Sequence, residues 1–343
     1  MSSTTGTRLT VGLAGTGRIG AAHAETLRAL PGVGAVVVTD ADTERARATA
    51  DKLEVDFAHD IETLLAAEID GLVITTATDS HPALITAAVD RGIPVFCEKP
   101  IAADILGTLR VVEHVERSKV PVQVGFQRRF DAGYRAARAA VAAGDLGWIH
   151  TLRATTLDPA PPPAEYIPRS GGLFRDCGVH DFDIIRWVSG REVEEVYATG
   201  ANRGEPFFAD SGDVDTAAVI LRLDDGCLAT VSLTRYNGEG YDVRLEVLGS
   251  KGNAVVGLDE RAPLRSVEPG YPTSALPAYP GFMDRFHGAY TEELLTFLGV
   301  ITGQHANPCP AAEALEAFYI AEACELSRHQ GRPVRLSDIR RSH

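Results

Sequence analysis

Apolar residues fall along the first third of the chain in two alternating rhythms. Residues 9–14 form a short apolar run with a glycine just beyond it, and 19–30 carries apolar side chains at helical spacing. Residues 33–39 are rich in valine and fit a buried strand, whereas 43–53 is a polar helix candidate. A short helix over 61–67, a strand over 71–77, a helix over 82–91 and a strand over 94–97 continue the series. Strands alternating with helices predict a parallel sheet covered by helices. Such strands are buried on both faces, which accounts for their being apolar throughout.

Beyond residue 148 the rhythm changes. Residues 148–156, 193–202, 215–223, 227–236 and 242–248 have the pattern of strands in one larger sheet. Asp224-Asp225-Gly226 fits a tight hairpin turn, and Gly249-Ser250-Lys251-Gly252 fits another. Short connections of this kind predict mostly antiparallel pairing. Two helices close the chain, over 290–302 and 310–330, and no internal repeat is present. The proline-rich stretch 159–163 is expected to be a loop, and 1–8 a loose polar tail.

Size and charge narrow the picture. At 343 residues the chain is long enough for two domains, since single cores rarely grow beyond about 250–300 residues. Its 45% hydrophobic and 23% charged residues are ordinary globular usage. A formal charge of −14 disfavours nucleic acid and anionic membranes, which call for a basic surface. Residues 1–10 lack the apolar core of a signal peptide, and no window approaches about 18 uninterrupted apolar residues. The five cysteines are odd in number and share no CxxC spacing. Reduced thiols in a cytoplasmic protein are therefore expected, and a zinc site is not.

Gly15-Thr16-Gly17-Arg18-Ile19-Gly20 fits GxGxxG between the first strand and the first helix. The first glycine permits a tight turn, and the second removes a side chain that would block a pyrophosphate. The third lets helix and strand pack closely, so that the helix N-terminus faces the phosphates. Asp40 follows the second strand about twenty residues later, where a carboxylate accepts hydrogen bonds from ribose hydroxyls. It would also repel a ribose phosphate. No arginine is immediately beside it, Arg45 and Arg47 falling further along in the helix. NAD is expected over NADP.

Glu98-Lys99-Pro100 falls at the carboxyl end of a sheet strand, the edge at which open α/β sheets bind ligands. A lysine there can stabilise negative charge on an alcohol oxygen as hydride leaves; it can equally be a surface lysine near a turn. Asp176, His180 and Asp183 would share one face of a helix at i, i+4 and i+7. A carboxylate beside an imidazole fixes the ring, and histidine suits taking a proton from a hydroxyl. The plainer account is that Asp176 caps the helix.

A GxGxxG strand and helix, then Glu-Lys-Pro, then Asp-x-x-x-His in a second domain resembles the glucose-fructose oxidoreductase/inositol dehydrogenase family (Gfo/Idh/MocA). Gly125-Phe126-Gln127-Arg128-Arg129-Phe130-Asp131, His180-Asp181-Phe182-Asp183 with Arg186-Trp187, and Arg285-Phe286 leading to Tyr290 are similar to its inositol dehydrogenase branch. The likeness runs from about residue 10 to 339. It implies an α/β protein: an N-terminal Rossmann dinucleotide-binding domain over 1–124, and a C-terminal α+β domain over 125–343. The latter would be built on a large, mostly antiparallel open sheet that binds substrate and joins copies as dimers or tetramers. Carried over by residue, Lys99 would sit by the reacting oxygen, His180 would be the general base, and Asp176 would orient it. Pro100 matches the family's proline after the lysine, often preceded by a cis bond. Thr76, Thr78 and His81 fall in the loop that lines the nicotinamide side, and are equally well explained as caps of the helix from Pro82. Glu98, Lys99 and Gln127 are also expected beside the cofactor. Arg128, Asp158, Tyr236 and Tyr290 are candidate substrate contacts, each equally able to be structural.

The implied reaction is NAD-dependent oxidation of one secondary alcohol of a cyclic polyol, myo-inositol or a related cyclitol, to the ketone. Two features depart from the inositol pattern. Where those enzymes often have His-Arg-Asn, this chain has Thr156-Leu157-Asp158, and Gln127 stands where a methionine is frequent. Another sugar, sugar acid or glycoside is the alternative substrate, and a non-catalytic NAD sensor the alternative class. Metal-dependent chemistry is disfavoured, because Asp176 and His180 have no evident further ligands in the sequence.

Overall fold

The computed structural model describes residues 8–270 and 276–342. The expected polar tail, apart from Arg8, lies outside the described residues. The chain begins β1 (Leu9–Ala14), α1 (Arg18–Ala29), β2 (Val33–Thr39), α2 (Thr43–Leu53), β3 (Asp56–Phe57), α3 (Ile61–Ala66) and β4 (Gly71–Ile74). It continues α4 (His81–Val89), β5 (Val95–Glu98), α5 (Ile105–Ser118), β6 (Val122–Gly125), α6 (Ala132–Ala143), β7 (Ile149–Leu157), α7 (Ile167–Ser170) and α8 (Val179–Ser189). Then follow β8 (Val193–Ala201), α9 (Phe207–Asp210), β9 (Thr216–Leu223), β10 (Leu228–Thr234), β11 (Asp242–Gly249) and β12 (Asn253–Val256). Last come α10 (Phe282–Arg285), α11 (His287–Ile301), α12 (Ala311–Gln330), β13 (Val334–Arg335) and α13 (Leu336–Arg341).

These elements form two compact units. The described parts of 1–127 and 290–315 make the first, and those of 128–289 and 316–343 the second. In the first, six strands pair in the order β3-β2-β1-β4-β5-β6, every neighbouring pair parallel. All four residues of each of β4, β5 and β6 are buried, as strands covered on both faces must be. Helix α1 turns Gly20, His23, Ala24 and Leu27 inward, the i, i+3, i+4, i+7 stripe. Its core is completed from far down the chain, since Leu294, Phe297, Leu298 and Val300 of α11 pack among Leu13, Val38, Val73 and Phe96. Burying each such side chain contributes on the order of 1.5–3 kcal/mol. Strand order reverses between β1 and β4, so the carboxyl ends there open a crevice for a ligand.

The alternation read from sequence stops at Cys97; the structure continues it with α5 and β6, and adds α6. Asp104 and Asp131 cap α5 and α6, accepting from Gly107 N and from Gly133 N and Tyr134 N.

The second unit is a seven-stranded sheet ordered β12-β11-β7-β10-β9-β8-β13. Only β7 and β10 run parallel; the other neighbouring pairs are antiparallel. The expected hairpin turns join β9 to β10 and β11 to β12, Gly226 taking φ 86° where a side chain would be strained. Alternation is clean along β9 and β10, where Ala217, Val219, Leu221, Ala229, Val231 and Leu233 are buried. On the opposite face a row of paired residues crosses the sheet: Tyr197, Ile220, Thr230, Arg153, Glu246 and Val255.

Candidate active site

The glycine turn is built as a dinucleotide cradle requires. Gly15 has φ 97°, and a Cβ there would stand 2.6 Å from Thr76 N. A Cβ on Gly20 would fall 1.8 Å from Gly15 O, so helix and turn pack at glycine distance. Gly17, by contrast, has nothing within 4 Å of its Cβ position and begins α1 with no side-chain cap. Open space beside uncapped helical N–H groups fits a pyrophosphate. Arg18 and Ile19 open the helix at the same place.

Asp40, at the end of β2, accepts from Thr16 N at 2.6 Å and from Asp42 N at 2.9 Å. It also pairs with Arg45, whose Nη2 lies 2.6 Å from Oδ1 and whose Nε lies 3.2 Å from Oδ2. This corrects the sequence view that no arginine is beside Asp40. Asp42 caps α2, and the first turn of that helix brings Arg45 back over the strand end. Burial works to raise the Asp40 carboxyl, but Arg45 and the two amides outweigh it and hold it below the usual carboxylate value. The arginine is thus neutralised by the aspartate rather than absent.

Between β4 and α4 the polar residues tie loops together rather than cap the helix. No side chain caps α4 at Ser80. Ser80 Oγ donates to Thr76 Oγ1 at 2.6 Å, and Thr78 opens a single 3-10 turn. His81 is 1% exposed, with Nδ1 2.7 Å from Pro100 O and Nε2 3.0 Å from Thr76 O. It therefore shapes the turn that presents Lys99. The Lys99–Pro100 bond is cis, and Lys99 is half-buried. Glu98 and Gln127 are buried. Tyr290 is buried within the first unit, its ring 5.6 Å from that of His23.

In the second unit, Arg128 is fully enclosed. It donates from Nη1 to Asp181 Oδ1 at 2.6 Å and from Nη2 to Thr156 Oγ1 at 2.9 Å. Arg129 pairs with Asp183 through Nε at 2.9 Å and Nη2 at 2.5 Å. The two carboxylates that flank Phe182 thus lock α8 to the turn before α6. Asp183, expected on one face with Asp176 and His180, faces Arg129 instead.

Asp176 lies not in α8 but in one π turn, Phe174–Gly178, directly before it. Such turns inside helices concentrate at functional sites. Nor is Asp176 a cap, since α8 begins at Gly178 with no side-chain cap. Its carboxylate accepts from Arg235 Nη2 at 2.7 Å and from the Tyr166 hydroxyl at 3.0 Å. Arg235 is 3% exposed and its Nη1 also donates to Asp158 Oδ2 at 3.1 Å. Burial pushes the Asp158 carboxyl up, with Arg235 opposing. The parallel pairing of β7 with β10 sets Leu157 opposite Thr234, so the residues that follow, Asp158 and Arg235, emerge side by side. His180 is half-buried in the first turn of α8. Tyr236, which follows Arg235, has a hydroxyl that accepts from Glu205 N at 3.0 Å and a ring that packs near Phe208.

Arg235, Tyr166 and the Arg45 pairing escaped the sequence. Arg235 carried one faint signal, a charged residue at the end of a strand that is otherwise apolar on alternate positions.

Comparison with known proteins bears on the family and the fold. Residues 9–126 match an oxidoreductase family with an NAD-binding Rossmann fold, and 134–255 match the GFO/IDH/MocA C-terminal domain. The chain is 39% identical over 326 residues to the myo-inositol dehydrogenase Hyg17 of Streptomyces leeuwenhoekii, covering 94% of this chain and 98% of that one. It is 34% identical to the myo-inositol 2-dehydrogenase of Thermotoga maritima, covering 96% and 99%. A crystal structure of scyllo-inositol dehydrogenase from Lactobacillus casei, with bound NAD(H) and scyllo-inositol, superposes with a TM-score of 0.87. It is 28% identical, covering 96% of this chain and 99% of that one.

Proposed function

The chain belongs to the GFO/IDH/MocA oxidoreductase family, its first domain an NAD-binding Rossmann fold, and we propose that it oxidises one secondary alcohol of a cyclic polyol, myo-inositol or a related cyclitol. The observation that carries this reading is the near full-length likeness to dehydrogenases named for myo- and scyllo-inositol. NAD⁺, when bound, supplies the hydride acceptor. Gly15, Gly17 and Gly20 cradle its phosphates and Asp40 its ribose hydroxyls. His180 takes the proton of the reacting hydroxyl, and Lys99 stabilises the charge that develops on that oxygen. Asp176, fixed by Arg235 and Tyr166, steadies the imidazole as it becomes charged. Asp158, anchored on the same guanidinium, is a hydroxyl acceptor for the polyol.

The open face of the second sheet, with Tyr197, Ile220 and Val255 exposed, suits a second copy of the chain. Among the described residues no helix is long and apolar enough to cross a membrane. Five free cysteines suit a reducing, cytoplasmic setting.

The test is NADH formation by the purified protein with NAD⁺ across inositol isomers, aldoses, glycosides and sugar acids, with His180→Ala beside it. Turnover on a cyclitol is expected, falling by about 10²–10⁴ in the variant, with NAD affinity nearly intact. Wild-type turnover in His180→Ala removes the histidine from the base role. Preference for a sugar acid or glycoside overturns the substrate class.

A further inference from the structure

The first unit holds a buried acid cluster that the reaction described above does not use. His23 of α1 is 1% exposed, Glu98 at the end of β5 is 9%, and Glu293 of α11 is 0%. His23 Nε2 lies 2.8 Å from Glu98 Oε1, and Glu293 Oε1 lies 4.0 Å from the same nitrogen. Neither oxygen of Glu293 has a hydrogen-bond partner among the described residues. Phe96 and Tyr290 set their rings 5.7 and 5.6 Å from that of His23. From β6, Gln123 donates to the Glu293 carbonyl oxygen, and a Cβ on Gly125 would come 3.0 Å from Glu98 Oε2. The titratable groups facing one another are thus His23 from α1, Glu98 from β5, and Tyr290 and Glu293 from α11.

Two carboxylates and an imidazole shut off from water need a cation or a shared proton. Ligands of one tetrahedral zinc ion, each about 2.0–2.2 Å from it, stand about 3.3 Å or more apart. His23 and Glu98 are closer than that, at hydrogen-bond distance. A proton therefore suits this pair. Glu293 has no donor to stabilise its charge, so the neutral acid is the less costly form. Burial, and then the Glu98 charge, push its carboxyl well above the ordinary value. The location gives the cluster its use. Strand β4 lies between β1 and β5, so no backbone ladder joins the glycine turn to the strand end carrying Lys99. The His23–Glu98 bond makes that link directly, from the helix behind the turn to the residue before the lysine.

We propose that His23 is a positioning residue: its hydrogen bond fixes Glu98 and so holds the Lys99 strand end against the helix of the dinucleotide turn. The inference rests on Lys99 acting in the proposed dehydrogenase reaction.

His23→Phe keeps a ring between Phe96 and Tyr290 and removes the donor. Turnover is expected to fall about tenfold, the value of one charge-assisted hydrogen bond, with KM for the polyol within about twofold. His23→Gln, which keeps an N–H, is expected to recover most of the turnover. Hydrogen exchange of the amides over 98–102 needs no substrate and is expected to quicken in His23→Phe. If the phenylalanine variant does not fold, Glu98→Gln weakens the same bond and reads the same amides. An active wild type with unchanged turnover and exchange in His23→Phe overturns the proposal. So does stoichiometric zinc in the purified wild type that is lost from the variant. Wild-type silence on the whole polyol panel counts against the dehydrogenase reading instead, and the exchange comparison then decides the His23 link by itself.

Discussion

Asp40 and Arg45 pull cofactor choice in opposite directions. In the proposed ribose site the carboxylate would accept ribose hydroxyls and repel a phosphate; the guanidinium, were it free, would welcome one. Because they are paired at 2.6 Å, the aspartate is expected to decide. Asp40→Ser should therefore do more than weaken NAD. It releases Arg45 toward the ribose, and kcat/KM with NADP relative to NAD is expected to rise by about tenfold or more, one charge-assisted contact. Asp40→Ser with Arg45→Ala should lose that gain, as steady-state kinetics with both cofactors will show. A serine variant that keeps its preference removes Asp40 from the ribose site.

Helix α8 is held near its start by two buried ion pairs, Arg128 with Asp181 and Arg129 with Asp183. Removing one partner leaves an uncompensated buried charge, which costs about 3–5 kcal/mol. Asp183→Leu alone is expected to lose that much in denaturant unfolding, and Arg129→Met with Asp183→Leu to recover most of it. A double variant no better than the single would mean that the pair is not what the helix relies on. The same helix marks how far the sequence could be read. Its existence and its His180 were legible, because apolar residues follow at helical spacing. So were Val33–Thr39 and Thr43–Leu53, whose ends agree with the structure to the residue. The π turn holding Asp176 was not, since it keeps the composition of a helix and alters only the hydrogen-bond step. Nor was Arg235 beside Asp176 and Asp158. That meeting depends on β7 lying parallel to β10, strands separated by two others in the chain, and no local pattern encodes such a partner.

For the whole molecule, the open face of the second sheet sets a test of association. Ile220 is 50% exposed and Tyr197 is 39% exposed, paired across β8 and β9. Ile220→Glu with Tyr197→Glu is expected to shift the protein to a smaller species in sedimentation velocity while leaving its melting temperature nearly unchanged. A wild type that already sediments as a single chain would remove the second copy from that face.

The return of α11 to the first unit also bears on how the protein is made. Synthesis at about 5–20 residues per second leaves on the order of ten seconds or more between the last strand of the parallel sheet and Leu294. Over that interval the nascent chain displays Leu13, Val38 and Phe96 without the helix that covers them. The first unit is therefore expected to complete its core only once α11 has emerged from the ribosome. Shielding of the early half while the later half is still being translated is then an expected demand on cellular chaperones, one set by connectivity rather than by final stability.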